Sequence, residues 1–159
     1  MKPNVVIQRK TGFTLVELVA TLIILAVVSA VAIPRFFSNT VFGSRAYADQ
    51  VAAMLRYAQK TAIAQRRPVW VNSNAAGTAI CLTYAVDSGC TLANAVMSPE
   101  NGSSSFVKNA PTGVTVSSSV SFNFSALGKP TPDAAVTMTV SGGGLSTDII
   151  VERETGYVH

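Results

Sequence analysis

The sequence predicts an α+β fold in which one long helix lies across an antiparallel sheet. Three observations predict it. An apolar run from Phe13 to Ile33 holds a single ionisable residue in 21 positions. The stretch that follows, up to Arg67, repeats its apolar residues with helical period. Beyond Pro68, short alternating runs are separated by glycine- and proline-bearing turns.

The apolar run comes first. At 1.5 Å per residue it spans about 32 Å, enough to cross a hydrocarbon core of roughly 30 Å. It also explains the composition of the 159 residues, which are 48% apolar and only 13% charged. That charge share is about half the usual globular one. The formal charge of +4 at first suggests a nucleic-acid partner, but Lys2, Arg9 and Lys10 precede the run. From Phe13 onward nine Lys or Arg stand against eight Asp or Glu. Most of the basicity is therefore an orientation signal, which keeps the short end cytoplasmic and exports the residues after Pro34.

Two ordinary readings of this segment are a signal anchor and a removable signal peptide, the latter cut near Ala30-Val31-Ala32. Neither accounts for Glu17. A carboxylate within an apolar span costs roughly 2.5–3.5 kcal/mol on insertion scales, and the span offers it no charged partner. A cut between Gly12 and Phe13 would create one. The freed amino group would lie four residues before Glu17, about one helical turn away. Between staggered copies, the Glu17 of one could face the Phe13 amine of another.

The helical pattern continues as an amphipathic segment. At 100° per residue, Tyr47, Val51, Met54, Leu55, Ala58 and Ala62 fall within an arc of roughly 100°. Arg45, Asp49, Arg56, Lys60 and Arg67 fall opposite, with Ile63 and Gln65 as exceptions. Pro68 stops the helix, because it disfavours helical backbone at the residue before it.

Strands are predicted at Val69-Trp70-Val71 and from Ile80 to Tyr84. Strict alternation marks Val120, Phe122 and Phe124, then Val136, Met138 and Val140. Ile149 to Val151 and Tyr157-Val158 close the chain. Leu127 to Pro130, Gly142 to Gly144 and Thr155-Gly156 carry turn chemistry. The Ser/Asn/Gly-rich stretch from Met97 to Pro111 reads as a surface loop. The 91 residues after Pro68 are enough for a core if the helix covers one sheet face.

Cys81 and Cys90 make a poor metal site, since the only histidine is His159 and structural zinc takes four ligands. In an exported domain they form a disulfide, worth roughly 2–3 kcal/mol for so short a loop. The alternative is a pair of unpaired buried thiols.

Gly12-Phe13-Thr14-Leu15-Val16-Glu17 resembles the processing site of the type IV pilin and type II secretion pseudopilin superfamily. The resemblance implies removal of a basic leader, residues 1–12, by a prepilin peptidase that then N-methylates Phe13. It implies Glu17 as the assembly carboxylate and Pro34, in Pro34-Arg35-Phe36, as the helix-bending proline. The expected organisation is a transmembrane and assembly helix over 13–33, an amphipathic half over 34–67 and a β-rich domain over 68–159. The expected partners are other pilin or pseudopilin subunits, the peptidase and an inner-membrane assembly platform. The chain would sit in a bacterial inner membrane as a single span, with a periplasmic C-terminal domain, and then enter a filament.

Leu55 to Val71, with Arg56-Tyr57-Ala58-Gln59 and Pro68-Val69-Trp70-Val71, resembles the GspH/FimT-type minor pilins. So does the ending, Phe122-Asn123-Phe124, Gly128 and the turn at Gly156. Within that group the resemblance extends to minor pilins of mannose-sensitive haemagglutinin-type pili. The mid-chain cysteines depart from the C-terminal staple of major type IVa pilins and favour a minor or initiating subunit.

Three functions compete. The leading expectation is a structural subunit without cofactor or metal. The alternative is a DNA-binding subunit of natural transformation, using Arg56, Lys60, Arg66 and Arg67 as phosphate contacts. Against it, the same residues form an ordinary solvated helix face, and the ending Glu152-Arg153-Glu154 lacks a basic cluster. Catalysis is disfavoured, since there is no Gly-x-Ser-x-Gly elbow and no glycine-rich phosphate loop before a helix.

Overall fold

The computed structural model of the chain describes residues 12–36, 39–91, 93–102, 105–117 and 121–159. It divides into one unit ending at residue 38 and a second from Asn39 to His159.

The first unit is helix α1, Leu15–Phe36. Thr14 caps it: its Oγ1 accepts the Glu17 N–H at 3.2 Å, and its carbonyl accepts the Leu18 N–H at 3.1 Å. All residues from Gly12 to Ala30 are exposed. Among the described residues no helix is both long and apolar enough to cross a membrane. The α1 side chains that are described end at Ala30, whereas the apolar run in the sequence continues to Ile33.

The second unit opens with α2, Asn39–Gln65. Its apolar stripe falls where the period puts it: Tyr47, Val51, Met54, Leu55, Ala58 and Ala62 are all buried. The opposing charges are exposed, as are the two exceptions, Ile63 and Gln65. The helix ends in a Schellman arrangement. Arg66 takes φ +50°, Arg67 N–H reaches the Ala62 carbonyl at 3.2 Å, and Arg66 N–H reaches the Ile63 carbonyl at 3.3 Å. Glycine is the usual occupant of such a position, because a Cβ is disfavoured there.

Among the described residues eight strands follow. They are β1 (Val69–Ser73), β2 (Ala79–Thr83), β3 (Phe106–Asn109), β4 (Val114–Val116), β5 (Ser121–Phe124), β6 (Pro130–Thr131), β7 (Val136–Gly142) and β8 (Leu145–Val151). The expected helix-on-antiparallel-sheet fold is present, with one refinement: the strands form two sheets. One has the order β3-β2-β1-β5-β6 and the other β4-β7-β8, and all pairings are antiparallel. α2 packs on both, against β1 and β5 of the first and β4, β7 and β8 of the second. Val69, Val71, Phe122, Phe124, Met138, Val140, Ile149 and Val151 complete the core beneath it.

Gly143 and Gly144 join β7 to β8 as a two-residue turn, with φ +63° and +78°. Two positive φ values make it the hairpin turn whose twist suits antiparallel strands. The predicted loop from Met97 to Pro111 is corrected by β3, which occupies its second half. Phe106 packs edge-on to Tyr57, with ring centroids 5.4 Å apart, and is buried. Two apolar residues in a polar stretch are a weak strand signal, and the tertiary contact decides. β4 was too short for its alternation to register, and Val120 of the predicted run lies outside the described residues.

Candidate functional site

The residues singled out by the sequence fall in three places. Gly12, Phe13 and Glu17 lie at the start of α1, all exposed. Thr14 and Glu17 stand as the first and last residues of a Thr-x-x-Glu capping pattern. That pattern is legible in the sequence and was missed there. It accounts for a helix starting at this point, but not for a carboxylate in an apolar span. A favourable helix-end charge is worth typically about 0.3–1 kcal/mol, against roughly 2.5–3.5 kcal/mol for its burial in hydrocarbon. Pro34 lies within the helical range of α1.

Cys81 and Cys90 form a disulfide with Cα atoms 5.8 Å apart. Cys81 stands opposite Asn72 in the β1–β2 register, so the bridge draws the following loop over the sheet face turned away from α2. A polar latch that sequence reasoning missed holds this loop. Asn72 is fully buried. Its Nδ2 donates to Thr83 Oγ1 at 2.8 Å, and its Oδ1 accepts Ser121 Oγ–H at 2.9 Å and Asp87 N–H at 3.3 Å. A buried amide is tolerated when its bonds are made in this way. An asparagine inside a Val-Trp-Val-Asn-Ser strand was the available signal.

Arg56 and Lys60, on the C-terminal half of α2, and Arg66 and Arg67, just past its end, are exposed. Two of them hold other parts of the chain. Arg56 donates to the Val158 carbonyl at 3.2 and 3.4 Å, and the Arg67 guanidinium lies 3.1 Å from the Tyr84 ring centroid. Among the described residues, Lys60 and Arg66 make no such side-chain contact. The four are therefore not a single uncommitted phosphate-binding stripe.

Nearby, Gln59, which the sequence marks only as part of the GspH/FimT resemblance, joins two turns. Its Nε2 donates to the Gly128 carbonyl at 3.0 Å and to the Thr155 carbonyl at 2.7 Å. One side chain thus ties the β5–β6 turn to the C-terminal turn. Elsewhere, Asp133 and Arg153 pair at 2.9 Å, and that bond holds the Asp133 carboxyl below its usual range. Burial pushes the Tyr47 phenol up to about 12, while its hydroxyl donates to the Lys108 carbonyl at 3.1 Å. An open cleft of about 460 Å³ beside β4 and β7 is lined by Thr115, Ser117, Thr139 and Ser141 with Ala75 and Ala76. Its lining holds no titratable group among the described residues. Nor, among those residues, could any cluster of His, Cys, Asp or Glu hold a metal ion.

Known proteins resemble the chain in both units. The family model of the type II transport protein GspH matches residues 47–155, about two thirds of the chain. The model of the prokaryotic N-terminal methylation motif matches residues 7–33. The type IV narrow pilus major component PilA5 of Thermus thermophilus is 36% identical over 62 residues, 39% of this chain and 53% of that protein. The chain thus spans about half the length of this relative. Two crystal forms of the type IV minor pilin FimU from Pseudomonas aeruginosa share the fold. Both have a TM-score of 0.51, at 18% and 20% identity; each alignment covers 72% of this chain, and 85% and 90% of the respective FimU chains.

Proposed function

Because the chain belongs to the GspH family of type IV pilin-like proteins, we propose that it is a minor subunit of a type IV pilus or type II secretion pseudopilus. In this reading α1 holds it in the inner membrane, with the domain from Asn39 onward in the periplasm. Assembly then draws it into the filament. The observation that carries the reading is the character of α1. Its described apolar residues are all exposed, and an apolar surface of that extent calls for an apolar environment. A bilayer supplies it first, and the helices of neighbouring subunits do so afterwards.

The chemistry at its start follows. Removal of the leader after Gly12 by prepilin peptidase converts Phe13 from an internal residue into a free amine, which the enzyme then methylates. An ammonium at a helix N-terminus faces the positive end of the helix dipole, so it is destabilised unless a carboxylate is near. Glu17 supplies that carboxylate to a neighbouring subunit and itself gains a partner in an apolar environment. A shielded pair of this kind specifies register, because losing one member costs roughly 3–5 kcal/mol. The assembly platform moves the subunit. The chain's own part is to offer the two charges and the apolar helix that follows them.

N-terminal mass spectrometry of the protein isolated from membranes tests the first step. The expected mature chain begins at N-methylated Phe13. A chain beginning at Ile33 would mean ordinary signal-peptide removal and would overturn the filament reading.

A further inference from the structure

We propose that the pole of the domain at the far end of α2 is a docking surface for the globular domain of a neighbouring filament subunit. The face it fits has an apolar recess rimmed by carboxylates. This inference rests on the filament reading above and adds a site and a partner chemistry to it.

The pole is built from three segments that meet around Gln59. Ile63 lies over Gly128, where an added Cβ would come within 2.7 Å of its Cδ1. Gly156 presses on Gly128, and any side chain there would run into the Gly128 carbonyl. Both glycines have positive φ. Gln59 then bonds to the carbonyls of both turns. This close-packed base presents large apolar side chains outward. Leu127 is 82% exposed, Tyr157 62% and Ile63 48%. Leu127 and Tyr157 sit beside the two glycines, on turns that are already fixed in place. Little backbone ordering entropy remains to be lost on binding, which leaves mainly the rotamer freedom of the anchors to be lost.

Charge selects the partner. On the turn side Lys129 pairs with Glu154 at 3.0 Å, Arg153 with Asp133 at 2.9 Å, and Glu152 meets the His159 ring at 3.0 Å. On the helix side Lys60 and Arg66 make no ion pair or other side-chain contact among the described residues, while Arg56 and Arg67 are held by the Val158 carbonyl and the Tyr84 ring. The last acidic residue of α2 is Asp49. The patch is therefore apolar at its centre and cationic along one rim, and the complementary face is apolar with carboxylates.

Two other occupants fit less well. Nucleic acid would need bases to stack, but Leu127 and Ile63 are aliphatic and Tyr157 already stacks on His159 at 5.6 Å. A bilayer is the other candidate. Gln59 lies about 30 Å along α2 from Asn39, where the chain enters the domain, so the patch is at the far end of α2 from that entry.

Site-specific photo-cross-linking of the full chain in its own cells tests the proposal, with a benzophenone amino acid in place of Leu127. Val86, 60% exposed on the disulfide loop, serves as the control position. The expected result is a covalent adduct between position 127 and another filament subunit, at a peptide bearing Asp or Glu. Its yield should be at least about fivefold above that at position 86. Lys60→Glu with Arg66→Glu should lower the yield about threefold or more at unchanged protein level, whereas Lys60→Arg should not. If the chain is present in sheared filaments but position 127 gives no adduct, equal adducts at both positions, or adducts to phospholipid or DNA, the docking surface is refuted while the filament reading stands. A chain absent from filaments altogether would remove both.

Discussion

α1 and α2 are both long helices of similar length, yet they solve opposite problems. α2 carries its apolar residues on one face, and every one in that stripe is covered by strands of the same chain. α1 carries apolar residues on every side, interrupted at its start by Glu17, and its described side chains are exposed. An amphipathic helix is completed by its own domain, whereas one apolar on every side must be completed from outside. The comparison separates what the chain does alone from what it does in company.

Matched substitutions break or sharpen that contrast most strongly. Leu55→Ala should destabilise the domain by about 2–5 kcal/mol, since the residue is fully buried and leaves a cavity. Leu22→Ala, at a residue 58% exposed in α1, should leave domain unfolding within about 0.5 kcal/mol of wild type. Urea unfolding of the full chain in detergent reads both. Equal effects would mean that α1 contributes to the domain core.

The sequence was most informative where one physical demand dominates. The α2 stripe was legible because burial on one face imposes a helical period. The β7–β8 hairpin was legible because Gly143 and Gly144 suit a turn with two positive φ values. The disulfide followed from export, once the basic residues had been assigned to orientation. Illegible features depended on distant partners. β3 exists because Phe106 meets Tyr57, far away in the sequence, and the division into two sheets follows from pairings no local pattern encodes. The same holds for the candidate site. Glu17 stood out as a charge without a partner. Gln59, Gly128 and Gly156 stood out only as parts of a resemblance; that they meet at one pole did not, because they come from three separate segments.

A smaller effect concerns Tyr47, which anchors α2 to the β3 edge. Burial pushes its phenol up to about 12, above the ordinary value near 10. Because the folded state holds the proton more tightly, this contribution to stability is intact below about pH 10. It is lost as pH rises from about 10 to about 12, by roughly 2–3 kcal/mol. Tyr47→Phe should remove that part of the alkaline slope, at the cost of about 1 kcal/mol near neutrality for the lost bond to the Lys108 carbonyl. A series of urea midpoints from about pH 8 to about pH 12 measures it, and identical slopes in the two proteins would contradict the assignment.

The smallest expected effect lies at the end of α2. Arg66→Gly should stabilise the domain by about 0.5–1 kcal/mol, because glycine adopts the positive φ without strain. A loss of stability on thermal unfolding would mean that the Arg66 side chain makes a contact worth more than the strain. If the same variant also weakens cross-linking at position 127, the strained arginine is retained for the docking surface.

The central claim is that α1 is completed by other subunits through Glu17, and Glu17→Ala tests it most directly. Removing the carboxylate makes the span more apolar, so the variant should reach the membrane at wild-type level or above. Its recruitment should fall by about a hundredfold or more, the consequence of about 3–5 kcal/mol lost when a buried charge is left alone. The measurement is the ratio of the variant in sheared filaments to the variant in the membrane fraction, compared with wild type. A ratio reduced by about a hundredfold or more, with membrane levels intact, is the predicted result. A ratio equal to wild type would contradict the account.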